Sequence, residues 1–322
     1  MMALQAAGRH VHAAGVRVWV EASGPPAAPA VVLVHGLAAS GSVWRKVAPV
    51  LAARGLHVLV PDLPGHGRSD GKRHRGTYSP RFFARVLVEL LDALGVERAC
   101  LVGNSLGGVA VARAALLDPA RTAGLILVDS AGLSADGVPW STRLMYVPFA
   151  LAALLGASPS PLWLRLFLQR AVVADPSHAA ELADLLGEHP PLPAAVRRSA
   201  LGLIGPEGRI GRLLQDLTLP TLFIWGDRDV QFPLSLAETA AARMPNARLA
   251  RIAGAGHVPQ WEAPDAVACL IGDFALADRP EAPRLPHESE APGTTGRARR
   301  LYPRRSLHPP LRPPLSPPPR LP

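Results

Sequence analysis

A chain of 322 residues with an apolar share of 48% fits a globular protein with a large buried core, built as one domain with an insertion or as two domains. Its net charge of +9 raises a nucleic-acid partner, but residues 279–322 hold nine arginines against Glu281, Glu288 and Glu290, so most of the excess is a tail property and no nucleic-acid partner is expected. Two cysteines, Cys100 and Cys269, fall in apolar strand and helix patterns, where a thiol packs as a small hydrophobe, and neither a disulfide framework nor a metal site follows from them.

Residues 1–20 lack a basic region followed by an apolar run, so no secretory signal is read and a cytoplasmic protein is expected. Residues 9–21 alternate around Ala14-Gly15, the pattern of a strand pair. Residues 30–34 form a continuous apolar run, as in a parallel strand buried on both faces, and end in His35-Gly36-Leu37. A helix is predicted near 42–54, then a second buried strand at 57–60 and a turn-rich Asp62-Leu63-Pro64-Gly65-His66-Gly67-Arg68-Ser69-Asp70. Next come a helix at 80–94, a strand at 99–102, a helix-like run at 109–117 and a strand at 124–128. Alternating strands and helices imply a mostly parallel, doubly wound α/β sheet with right-handed crossovers.

The alternation then stops. Residues 133–217 read as helices punctuated by prolines, an inserted helical cap between a first core part, 1–132, and a second, 218–278. Within it, residues 144–164 carry no charge and are long enough to span a bilayer, but Pro148, Gly156, Pro159 and Pro161 break the run, so stable membrane insertion is not expected. Strands resume at 221–225 and 248–252, and a last helix is predicted at 264–277. Residues 279–322 turn to proline, arginine and serine and are expected to form a disordered tail with polyproline character.

The chemistry gathers at Gly103-Asn104-Ser105-Leu106-Gly107-Gly108, a G-x-S-x-G pattern between a predicted strand and a predicted helix. Flanking glycines suit a turn that brings two backbones together and lifts the serine hydroxyl off the sheet, which makes Ser105 the candidate nucleophile. Such a serine needs a base and an acid that orients the base. Downstream, Trp225-Gly226-Asp227-Arg228-Asp229 and Gly254-Ala255-Gly256-His257 each follow a strand and fall at the carboxyl edge that carries Ser105. His257 is the candidate base. Asp229 is placed first as acid, with Asp227 and Asp129 as alternatives, because spacing does not separate two close aspartates. Backbone amides of Leu37 and Leu106 are the candidate oxyanion donors.

Taken together over residues 9–277, these motifs resemble the α/β-hydrolase family in its serine-nucleophile branch. The resemblance implies a structural role for Asp62 and His66, favours Asp229 as the acid, and implies no cofactor and no metal. Epoxide hydrolases and haloalkane dehalogenases are similar in loops and cap but use aspartate where Ser105 stands, and proline iminopeptidases have tryptophan where Leu106 lies. The leading expectation is a carboxylesterase acting on a small molecule with an apolar portion. The runner-up is carbon-carbon bond hydrolysis of ring-fission products, whose enzymes Asn104 and Gln260-Trp261-Glu262 resemble. That subgroup uses a cap arginine, for which Arg165 and Arg170 are the available residues. Asn104, Trp261, Phe149, Trp163 and Phe167 are the candidate substrate-binding residues, with Leu144, Met145, Leu151, Leu154 and Leu166 as further apolar residues of the cap. A non-catalytic small-molecule binder on the same scaffold, and acyl transfer to an acceptor other than water, are the other readings carried forward. The sequence sets no oligomeric state.

Overall fold

A computed structural model describes residues 7–71, 78–134 and 160–277, with 139, 142 and 144 between them. Its strands are β1 (Ala7–Ala13), β2 (Val16–Ser23), β3 (Ala30–Val34), β4 (His57–Pro61), β5 (Ala99–Asn104), β6 (Thr122–Val128), β7 (Thr221–Gly226) and β8 (Ala247–Ile252). Its helices are α1 (Ala48–Ala53), α2 (Pro80–Leu94), α3 (Leu106–Leu117), α4 (Pro161–Ala171), α5 (His178–Glu188), α6 (Pro193–Ile204), α7 (Leu234–Ala241), α8 (Pro259–Glu262) and α9 (Pro264–Leu276).

The strands form one sheet in the order β1-β2-β4-β3-β5-β6-β7-β8. β1 and β2 make an antiparallel hairpin whose turn, Ala14-Gly15, takes positive φ at both residues, and β2 pairs antiparallel with β4. The pairings of β3 with β4 and β5, and those from β5 through β8, are parallel, so the ends of β3, β5, β6, β7 and β8 share one edge. Alternate residues feed two cores. Val32, Val34, Leu101, Leu125, Leu127 and Phe223 pack towards α2, α3 and α7. Val31, Leu33, Val102, Ile126, Val128 and Ile224 pack on the face covered by α1 and α9. Burial on both faces explains why these strands read as unbroken apolar runs.

Two local expectations are corrected. The helix expected over 42–54 is split into a 3-10 turn, Gly41–Trp44, and α1, because Pro49 belongs in a first helical turn, where its missing N–H leaves no bond unmade. Cys269 is exposed on α9 with its Sγ 3.5 Å from Asp273 Oδ2, whereas Cys100 is buried on β5. Between β6 and β7 the described residues form α4, α5, α6 and short 3-10 turns, with no strand among them. Ser160 caps α4 by accepting from Trp163 N, and Pro161 starts that helix. Among the described residues no helix is long and apolar enough to cross a membrane. Residues 278–322 lie outside the described residues.

Candidate active site

Ser105 stands between β5 and α3 with φ 55 and ψ −116, a strained conformation for a residue with a Cβ. The flanking glycines make the turn possible. A Cβ on Gly103 would lie 2.3 Å from Gly107 O, and one on Gly107 would lie 2.5 Å from Val34 O and 2.6 Å from His35 O. All three obstacles are backbone, so no rotamer change relieves them.

The loop after β8 carries His257, and the loop after β7 carries both aspartates. His257 Nδ1 donates to Asp229 Oδ2 at 2.9 Å, and both side chains are buried. The other carboxylate oxygen, Oδ1, accepts from Gln231 N at 2.7 Å and Phe232 N at 3.1 Å, which fixes the carboxylate plane. Asp227 turns away: it pairs with Arg251 and accepts from Gly254 N at 2.8 Å. With Nδ1 committed, His257 Nε2 is left as the free ring nitrogen, buried and without a hydrogen-bond partner among the described residues. The His257 backbone is held on both sides, its N–H donating to Val172 O at 2.7 Å and its carbonyl accepting from Asn104 Nδ2 at 3.1 Å.

Ser105 and His257 line the same pocket of about 680 Å³, part of it open to solvent. Gly36, Leu37 and Ala38 come to it from the loop after β3, Leu164, Phe167 and Leu168 from α4, Leu182 and Leu186 from α5, and Val196 from α6. Among the described residues that line it there is no aspartate, glutamate, lysine or arginine. Below its floor, buried His35 donates from Nδ1 to Gly36 O at 2.8 Å and accepts from Leu63 N at 2.8 Å through Nε2, which ties the Leu37 loop to the Asp62 turn. Desolvation lowers His35 to about 4, and desolvation with the neighbouring His35 lowers His66 to about 3, so both stay neutral. Asp62 accepts from Gly41 N and Arg68 N and acts as a loop brace.

The family model described as alpha/beta hydrolase fold matches residues 29–264. The chain belongs to the α/β-hydrolase family. Among relatives of this α/β hydrolase are a 2-hydroxy-6-oxo-6-phenylhexa-2,4-dienoate hydrolase of Burkholderia cepacia, 30% identical over 76% of this chain and 87% of the relative. Another is a magnesium-chelatase 30 kDa subunit of Rhodobacter capsulatus, 33% identical over 80% of this chain and 90% of the relative. A thermophilic esterase from Thermogutta terrifontis shares the fold, with a TM-score of 0.71 and 24% identity over 84% of this chain and 98% of that one.

In this α/β hydrolase the residues expected at the substrate separate into three groups. Leu37, Asn104, Ser105, Phe167 and His257 line the pocket, and Leu106 begins α3 directly after the serine. Asn104 spends its amide on Val128 O and His257 O, so it braces the loop as well. Trp261 is not at the pocket. It is fully buried, with Lys46 Nζ 3.9 Å from its ring centroid, and belongs to the packing beneath the His257 loop. Trp163 is also off the pocket, stacked on the Phe167 ring at 5.7 Å, and Leu166 and Leu144 point to solvent. Phe149, Met145, Leu151 and Leu154 lie outside the described residues. Sequence reasoning missed Leu164, Leu168, Leu182, Leu186 and Val196; the i,i+4 spacing of Leu164 with Leu168 and of Leu182 with Leu186 marks a covered helix face, but not that a cavity covers it. It also missed Gln231, fully buried, whose Nε2 donates to Ala171 O at 2.8 Å.

Glu262 was legible only as part of a motif. Its carboxylate accepts from Gly256 N at 2.9 Å and Ala174 N at 2.7 Å, and burial raises it above the usual glutamate range. It therefore joins the His257 loop to the segment after α4. One carboxylate oxygen each from Asp129 and Asp229 and a ring nitrogen of His257 lie within 4.8 Å of one another, a set that could ligate a metal ion. Asp229 and His257 are already bonded to each other, which leaves the set poorly suited to that use.

Proposed function

We propose that this α/β hydrolase cleaves a small, uncharged carboxylic ester with an apolar portion through an acyl-enzyme on Ser105. The observation that carries the reading is the His257 Nδ1 contact with Asp229, which leaves Nε2 unengaged beside the pocket that Ser105 lines. Nε2 takes the Ser105 proton as Oγ bonds to the ester carbon, and the amides of Leu37 and Leu106 hold the oxyanion. The C–O bond to the leaving alcohol breaks, and the alcohol departs with that proton. Water then attacks the acyl carbon, His257 accepts its proton and returns it to Ser105, and the carboxylic acid is released. Ser105 and water supply the protons that His257 moves, so the reaction as proposed draws on no cofactor. In this reading residues 1–132 and 218–278 form the core, 133–217 the cap and 279–322 a tail.

The pocket lining favours an uncharged substrate. Its described side chains are apolar apart from Asn104, Ser105, Gln231 and His257. A ring-fission dienoate carries a carboxylate, and its desolvation needs a cation. Arg165 and Arg170 are exposed on α4 and do not line the pocket. The Burkholderia relative keeps carbon-carbon hydrolysis as the second reading. The test sets a panel of p-nitrophenyl esters beside a dienoic ring-fission product, with Ser105→Ala as control. Ester turnover lost in Ser105→Ala supports the proposal, and preference for the dienoate overturns it. A folded wild type that a fluorophosphonate fails to label favours a binding protein instead.

A further inference from the structure

Asp129 is a fully buried acid that the hydrolytic steps do not use. It follows β6 in a left-handed conformation, φ 41, and the parallel pairing of β6 with β7 brings it against the acid loop. Its N–H donates to Ile224 O at 3.1 Å, and its Oδ1 accepts from Gly226 N at 3.0 Å. Its second oxygen, Oδ2, is buried and has no donor among the described residues. The groups facing it are Asp229 from the loop after β7, His257 from the loop after β8 and, as a further acid, Glu262 from α8.

The two aspartates are unequally supplied. Asp229 accepts three hydrogen bonds, from Gln231 N, Phe232 N and His257 Nδ1, as suits an ionised carboxylate. Asp129 accepts one from Gly226 N and faces a like charge. Burial first, and then the nearby Asp229, push its carboxyl well above the ordinary carboxylate range. Two dry carboxyls this close do not both ionise, and the proton belongs on the one with fewer donors. Protonation also turns the donorless Oδ2 into a donor, which removes the buried unsatisfied atom.

We propose that Asp129 is a protonated carboxylic acid at neutral pH whose O–H donates to Asp229, and that it acts as a positioning residue holding the Asp229 carboxylate against His257. The positioning role rests on the reading of Asp229 as the acid that orients His257; the protonation state does not. The proton has no other role in the reaction. It fixes the carboxylate that fixes the imidazole.

The protonation is tested without turnover. Infrared difference spectra of wild type against Asp129→Asn at pH 7 should show a protonated-carboxyl C=O band, shifted in deuterated water and lost in the variant. No such band, or a band undiminished in Asp129→Asn, overturns the proposal. An inactive wild type that shows the band would sink the hydrolase reading and leave this one standing. For positioning, the Asn amide replaces the O–H as donor, so Asp129→Asn should keep kcat/KM within about threefold, with the acid limb of its pH profile within about 0.3 unit of wild type. Were Asp129 ionised, removing a charge about 5 Å from the imidazole would move that limb down by about two units, which refutes the proposal. Asp129→Ala, which lacks the donor, should lose about tenfold in kcat with KM held. Equal activity of the Ala and Asn variants would refute the positioning role; if the Ala variant does not fold, the infrared band and the Asn pH profile still decide.

Discussion

Replacing Asp229 by Asn tests the proposed site more sharply than removing the nucleophile, because the geometry dictates how the amide must sit. Asp229 Oδ1 accepts from two backbone amides, Gln231 N at 2.7 Å and Phe232 N at 3.1 Å. In Asp229→Asn the carbonyl oxygen keeps that place, since an NH2 there would meet two donors. The NH2 then faces His257 Nδ1, which must become an acceptor, and the ring proton moves to Nε2, where a base for Ser105 needs a lone pair. A wrong tautomer with intact geometry costs about 10⁴ in kcat in the Ser-His-Asp template, so a loss of about 10³–10⁴ is expected, or about 4–5.5 kcal/mol of transition-state stabilisation. Asp227→Asn is the control. It breaks an ion pair with Arg251, whose side chain is 63% exposed, a contact worth at most about 1 kcal/mol of stability, and should leave kcat/KM unchanged. The assay is hydrolysis of a short p-nitrophenyl ester, with thermal unfolding followed in parallel. A large loss in Asp227→Asn beside a near-normal Asp229→Asn would refute the assignment.

Gly107→Ala should lower Tm by about 2–12 °C and cut ester turnover, because the new methyl meets two fixed carbonyls and overpacking costs about 1–3 kcal/mol; a variant with wild-type Tm and turnover would show that the turn does not need glycine. His66 stays neutral in the fold down to about pH 3 but protonates near 6.5 when unfolded, so its contribution is intact above pH 6.5 and is lost as pH falls towards 3. Between pH 7 and pH 5 the change in urea unfolding free energy should therefore be about 2 kcal/mol less unfavourable in His66→Gln than in wild type. Comparing slopes cancels the opposite contribution of Asp129, whose raised value favours the fold as pH drops. Dialysis against a chelator should leave ester turnover unchanged, since Asp229 and His257 are engaged with each other; activity lost on chelation and restored by a divalent ion would contradict this.

What was legible in the sequence follows from how local each cause is. The central strands show as apolar runs because both faces are covered, and the Ser105 turn shows because its steric demand falls on glycines two residues before and after it. The helix faces were legible only as faces. On α4, Leu164 and Leu168 reach the pocket, whereas Leu162 and Leu166, equally apolar and also four apart, are 69% and 43% exposed. Hydrophobic spacing records that a face is covered and says nothing of whether protein, cavity or water covers it. Trp261 shows the same limit: a large aromatic beside the candidate base reads as a pocket wall, yet it lies under Lys46 because α8 turns it into the packing. The aspartates required contacts between distant segments. Asp227 and Asp229 differ by two residues, and what separates them is Gly254 N and Arg251 on one side against His257 on the other, all from the β8 region. Asp129 is further from any local signal. Only the register that sets Val128 beside Ile224 brings its carboxyl to Gly226 and into the company of Asp229, so no reading of its neighbours in sequence discloses a like-charge partner that must share its proton.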